Sequence, residues 1–214
     1  MAHRLGADRF NRWATTYDRH WMQHFLFGPI QRTVLQLAAE QVRRPAAILD
    51  VGCGTGRLLR SAAGAFPGAA LFGVDAAIEM LKAARAADPS GAILFQQAAA
   101  EGLPYQDSRF GLVFSTMTFH HWQDQSRGIA EVRRVLTPGG CWLLADFVAT
   151  GWMRSVRRAL RLHQFPARAS LDPMLQVTGL EVVAERRVPG LGGQIAVLAM
   201  SAGAVRAGAA PAPR

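Results

Sequence analysis

A carboxylate followed by three glycines at alternate positions, Asp50-Val-Gly-Cys-Gly-Thr-Gly56, is the pattern in this chain that could most directly do chemistry. The apolar run 48–51 suits a buried strand, and a helix is expected to open near Arg57. Glycine at 52, 54 and 56 lets the backbone turn tightly and approach a ligand with no Cβ in the way. A dinucleotide turn asks for G-x-G-x-x-G, and Arg57 stands where its third glycine belongs. Asp50 would also repel a pyrophosphate. The pattern therefore points to a nucleoside that carries positive charge. A second apolar run, 70–75, ends in Asp75. A strand-end carboxylate about 20 residues after such a turn can accept hydrogen bonds from two ribose hydroxyls.

These elements need a scaffold, and the rest of the chain supplies one. Strand-like runs at 47–51, 70–75, 92–96, 110–115 and 141–146 alternate with helical patterns near 57–66, 78–87 and 126–136. That alternation implies a parallel sheet with right-handed crossovers. Two last runs, 181–186 and 194–200, are joined by the Gly-rich segment 188–193. So short a link suits an antiparallel hairpin, and the seventh strand is expected to run against the others. Ahead of the sheet, Phe10, Trp13 and Tyr17 recur at helical spacing, as do Ile30, Val34, Leu37 and Ala38, and Pro45 closes the segment. The expected division is a helical lid over 1–44, a core over 45–200 with an insertion near 150–178, and a disordered Ala/Gly/Pro-rich tail over 201–214. In such a sheet a ligand belongs at the carboxyl ends of strands 1, 2 and 4, where the topology switches.

Asp50-Val-Gly-Cys-Gly-Thr-Gly56 followed by Gly73-Val-Asp75 resembles the first two motifs of the class I S-adenosylmethionine (SAM) dependent methyltransferases. Glu101-Gly-Leu-Pro-Tyr105, Phe110-Gly-Leu-Val113 and Arg134-Val-Leu-Thr-Pro-Gly-Gly140 resemble later motifs of the ubiquinone/menaquinone-biosynthesis-like branch. The resemblance implies an α/β, Rossmann-like fold with sheet order 3-2-1-4-5-7-6 and helices on both faces. It implies SAM as cofactor and S-adenosylhomocysteine as product. Asp50 with Gly52, Cys53 and Gly54 would surround the methionine part, and Asp75 and Ala76 the ribose. Met80 would pack on the adenine, with Ala99, Ala100, Glu101 and Ser115 completing the site. Tyr17, in Trp13-Ala-Thr-Thr-Tyr-Asp18, resembles a lid motif, though an ordinary amphipathic helix would carry the same aromatic.

Two positions depart from the family pattern. Ala99 stands where an Asp usually accepts a bond from the adenine amino group, and Glu101, Gln97 or a backbone carbonyl could compensate. Gly111 replaces an Asp after Phe110, which would loosen a structural contact.

Methyl transfer asks the protein mainly to align acceptor, methyl and sulfur. A base is needed only where the acceptor loses a proton. Phe119-His-His-Trp122 follows the fourth strand, and His121, with His120 second, is the candidate base because imidazole titrates near neutrality. Packing beside the site without catalysis is the alternative. In residues 152–168, Met153, Val156 and Leu160 alternate with Arg154, Arg157, Arg158 and Arg161. A cover helix with a solvated arginine face explains this; so does a helix that also touches an anionic membrane or substrate.

Bulk properties narrow the class. At 214 residues, half of them hydrophobic, one domain with a substantial core is expected. No leader or membrane-length apolar run is evident, and Cys53 and Cys141 have no metal-ligand spacing, so a cytoplasmic protein without a metal is expected. The net charge of +9 is almost all arginine, Lys82 being the one lysine. Codon bias and attraction to an anionic partner both account for it. The expected activity is methylation of oxygen or carbon on a small, largely apolar acceptor such as a quinol, phenol or polyketide-like ring. The aromatics Trp13, Trp21, Phe119, Trp122 and Trp152 would suit it. A SAM-binding protein without transferase activity is the alternative. A nucleic-acid methyltransferase is disfavoured, since Ser115-Thr-Met-Thr118 stands in place of an Asn/Asp-Pro-Pro-aromatic loop and neither cysteine is placed as a nucleophile. The motifs leave the acceptor and the oligomeric state open.

Overall fold

In a computed structural model, residues 27–147, 168–188 and 195–203 are described. The chain runs α1 (Gly28–Gln41), β1 (Ala47–Val51), α2 (Arg57–Ala65), β2 (Ala70–Asp75), α3 (Ile78–Ala86), β3 (Ile93–Gln97) and β4 (Phe110–Thr116). A 3-10 turn (Phe119–His121) then leads to α4 (Gln125–Val135), β5 (Leu136–Phe147), α5 (Arg168–Thr178), β6 (Leu180–Arg187) and β7 (Ile195–Ala202). The strands form one sheet in the order β3-β2-β1-β4-β5-β7-β6, as expected. β1 to β5 are parallel, and β7 is antiparallel to both β5 and β6.

Alternation along each strand sends side chains to two cores. Ile48, Leu112, Phe114 and Leu143 pack with α1 and α2, while Leu49, Val113, Trp142 and Leu144 pack with α4 and α5. Strands buried on both faces read as continuous apolar runs, which is why β1, β2 and β4 were legible in the sequence.

Four boundaries differ from expectation. α1 belongs to the core and not to a lid, because Ile30, Val34, Leu37 and Ala38 are buried against the sheet. Likewise α5, expected inside an insertion, buries Leu171 and Leu175 in the other core. β7 runs on to Ala202, so the tail expected from 201 begins later: Ser201 pairs with Cys141 and Ala202 with Leu180. β5 also starts five residues early, at Leu136, which pairs with Phe110 ahead of a register shift that ends at Leu112 and Cys141. The expected N-terminal helix with Trp13, Tyr17 and Trp21, and the segment carrying Trp152, Arg154, Arg157, Arg158 and Arg161, lie outside the described residues. No helix among the described residues is long and apolar enough to cross a membrane.

Candidate functional site

The carboxyl ends of β1, β2 and β4 meet at the glycine turn. Gly52, Gly54 and Gly56 all have positive φ (78°, 53° and 73°), a region that side chains rarely adopt. A Cβ on Gly52 would overlap the Thr118 side chain just beyond β4, whereas a Cβ on Gly54 would meet nothing within 4 Å. The first glycine thus permits close packing within the protein, and the second faces open space.

The turn's amides are consumed internally. Those of Gly52 and Cys53 donate to the Val74 carbonyl (2.8 and 2.9 Å), and that of Gly54 donates to Asp75 Oδ2 (2.9 Å). A pyrophosphate site would need those amides pointing outward. Beside the turn, Asp50 is 1% exposed, and its Oδ1 has no hydrogen-bond partner among the described residues. Burial, reinforced by the charge of Asp75, pushes the Asp50 carboxyl up to about 8. An orphaned buried acceptor is costly and calls for a donor. A primary ammonium fits that position, so the residues present suit the amino-acid end of SAM.

Asp75 does more than its sequence position suggested. Oδ1 accepts the Ala77 amide (2.8 Å) while Oδ2 accepts that of Gly54. Burial raises its pKa, and those two bonds oppose the shift. Each carboxylate oxygen can accept twice, which leaves capacity for ribose hydroxyls.

Several expected contacts are corrected. Met80 is 2% exposed and, with Leu81 and Ala84, lies on the buried face of α3. Glu101 is engaged elsewhere, its Oε1 accepting the amides of Gln123 (2.7 Å) and Asp124 (3.1 Å), so it braces the loop after the 3-10 turn. The Ser115 hydroxyl is buried and accepts the Trp142 indole N–H (3.1 Å), so it is committed to the protein interior. The Gln97 amide donates to the Ala76 carbonyl (3.0 Å). Ala99 and Ala100 follow β3 on the same rim, Ala100 with its methyl in the core. Gly111 leaves an ordinary gap, since a Cβ there would sit 3.5 Å from Pro45.

The two histidines are unlike. His121 is exposed, and its ring lies 3.9 Å, centroid to centroid, from that of His120. His120 is buried, with Nδ1 2.8 Å from Asp146 Oδ1. Asp146 did not stand out in the sequence, because 26 residues separate it from His120 and only strand pairing brings them together. Arg134 was read only as part of a motif. It bonds to Glu131, Asp107 and the carbonyls of Leu103 and Tyr105, clamping the loop between β3 and β4.

A seven-stranded sheet of this order, with an acid-and-glycine turn at its switch point, is the Rossmann-like fold of the class I methyltransferases. Comparison with known proteins agrees. Residues 49–144 match the family model described as a methyltransferase domain. A malonyl-[acyl-carrier protein] O-methyltransferase of Geobacter sulfurreducens is 37% identical over 167 residues, 73% of this chain and 58% of that protein. A demethylmenaquinone methyltransferase of Chlorobaculum parvum is 37% identical over 138 residues, 62% and 55% of the two. A SAM-dependent methyltransferase of Aquifex aeolicus shares the fold, with a TM-score of 0.69 at 17% identity over 89% of this chain and 97% of that one. Residues 49–144 thus carry a methyltransferase domain, and the chain is similar to SAM-dependent methyltransferases of the ubiquinone/menaquinone-biosynthesis-like branch. It spans less than two thirds of the length of either curated relative.

Proposed function

We propose that the chain transfers a methyl group from SAM to oxygen or carbon of a small, largely apolar acceptor, of quinol, phenol or polyketide-like type. The observation that carries this reading is the unpartnered Asp50 Oδ1, buried beside a turn whose Gly52, Cys53 and Gly54 amides are engaged within the protein. Bound SAM would supply a methyl group already activated by its sulfonium. Asp50, Gly52, Cys53 and Gly54 would hold the methionine part, Asp75 and Ala76 the ribose, and the backbones of Ala99 and Ala100 the adenine rim. Tyr17 would close over them from the N-terminal segment. The quinone in the name of one relative supports the apolar-ring acceptor. Peripheral contact with an anionic membrane through Arg154, Arg157, Arg158 and Arg161 rests on the arginine run alone. Failure to pellet with anionic liposomes at low salt would remove it.

The deciding experiment supplies methyl-labelled SAM to the protein with a fractionated host extract, with Asp50→Asn as the control. Label in the organic-soluble fraction, lost in the control, is the expected result. SAM binding without label in any fraction would instead favour a binding protein that transfers nothing.

A further inference from the structure

β4 and β5 are parallel neighbours, and Thr116 lies opposite Ala145. Asp146 therefore stands one residue past the end of β4, where the chain turns into the histidine pair. Its carboxylate is 1% exposed and gathers N–H donors from three groups. The Phe147 amide reaches Oδ1 (2.7 Å), the His120 amide reaches Oδ2 (3.2 Å), and His120 Nδ1 lies 2.8 and 3.0 Å from the two oxygens. A carboxylate oxygen accepts, so this geometry favours the tautomer with the ring proton on Nδ1 and the lone pair on Nε2.

The loop that bears this ring is fixed at several points. Met117 is held at a positive φ of 54°, its amide donating to the Ala145 carbonyl (2.8 Å). A side-chain-bearing residue rarely adopts that region, so the surroundings must impose it. Thr118 packs on Gly52, which sets the loop against the glycine turn, and Glu101 secures the far end through Gln123 and Asp124. A histidine held this firmly in one tautomer, beside the switch point of the sheet, is preorganised to take a proton.

We infer that Asp146 is a positioning residue, that His120 rather than His121 takes up the acceptor's proton, and that the acceptor is one that must lose a proton: a phenolic or enolic hydroxyl or an acidic carbon. The inference rests on the methyltransferase reading above. Transfer forms the acceptor–methyl bond and breaks the methyl–sulfur bond, whose electron pair stays on sulfur. The acceptor's proton moves to His120 Nε2 and then to water.

The test begins with nitrogen NMR of 15N-histidine-labelled protein without ligand. Neutral His120 is expected to carry its proton on Nδ1 in the wild type and to lose that preference in Asp146→Asn. An Nε2–H tautomer in the wild type, or a tautomer indifferent to Asp146→Asn, overturns the positioning role. In the labelled-extract assay, His120→Gln and Asp146→Asn are each expected to lower turnover about 10²-fold while changing SAM affinity by less than about twofold. The double variant should lose little more than His120→Gln alone, since the two act as a unit. Turnover surviving in a folded His120→Gln protein, or a larger loss in His121→Ala, overturns the assignment. If the wild type itself transfers no label, the methyltransferase reading fails, and the tautomer result alone decides whether Asp146 positions His120.

Discussion

Asp75 Oδ2 accepts the Gly54 amide at 2.9 Å, tying the end of β2 to the glycine turn that follows β1. The residue that suits a ribose is thus also a fastener of the site before any ligand arrives. Replacing Asp75 with Ala leaves the Gly54 and Ala77 amides without their acceptors. A loss of about 1–3 kcal/mol in unfolding free energy is expected from urea denaturation of the unliganded protein. An unchanged midpoint would mean that the carboxylate serves only the ligand.

Asp50 gives the protein an unusual pH dependence. Its carboxyl is pushed up to about 8 by burial and by Asp75, whereas in the unfolded chain it titrates near 3.8. Between those values the folded state holds a proton that the unfolded state has released. Stability from this group is fully present below about pH 4 and falls as pH rises toward 8. Cys53 and Cys141, both raised by burial, extend the decline above pH 9. Denaturation midpoints of the unliganded protein between pH 5 and 8 are expected to show this slope, and Asp50→Asn should flatten it. A cationic ligand that ionises Asp50 has the opposite trend. SAM affinity should rise with pH up to about 8, by at most about tenfold per unit, with proton release visible by calorimetry in buffers of different ionisation enthalpy. Binding of SAM to wild-type protein without proton uptake or release would break the link to Asp50.

Glu101→Ala separates bracing from cofactor binding. Its carboxylate holds the amides of Gln123 and Asp124, so its loss should loosen the loop bearing His120. Turnover is expected to fall about tenfold or more, since misplacing a proton acceptor by about 1 Å costs that much, while S-adenosylhomocysteine affinity stays within about threefold. A large loss of affinity would return Glu101 to the adenine.

Ser115 and Trp142 offer a double-mutant cycle. Ser115→Ala strands the indole N–H in a fully buried setting, where Trp142 stacks on Trp122 with a 9° interplanar angle. A cost of about 1–3 kcal/mol is expected, with Trp142→Phe in the same background recovering part of it. Thermal denaturation of the four proteins reads the coupling; strict additivity would show that the bond contributes nothing.

The parallel strands were readable because they are buried on both faces and appear as apolar runs, and the glycine turn because each glycine fills a backbone need fixed within a few residues. The limits of those elements were less readable. Ser201 looks like the start of an Ala/Gly/Pro-rich tail until Cys141 pairs with it, and Leu136 looks like a helix end until Phe110 does. Ile30 and Val34 show an apolar face clearly, but nothing local says whether that face covers a ligand or the sheet.

By itself the sequence determined the α/β order, the antiparallel seventh strand, the acid-and-glycine turn and the second acidic strand end, all of them written in short-range pattern. Tertiary structure alone decided which of two adjacent histidines meets a carboxylate, what Glu101 holds, that Met80 is buried, and that Asp50 keeps an unpartnered oxygen. The reason is physical. Hydrogen bonds and burial at this site join residues 20 or more positions apart, and their partners exist only once the parallel strands are in register.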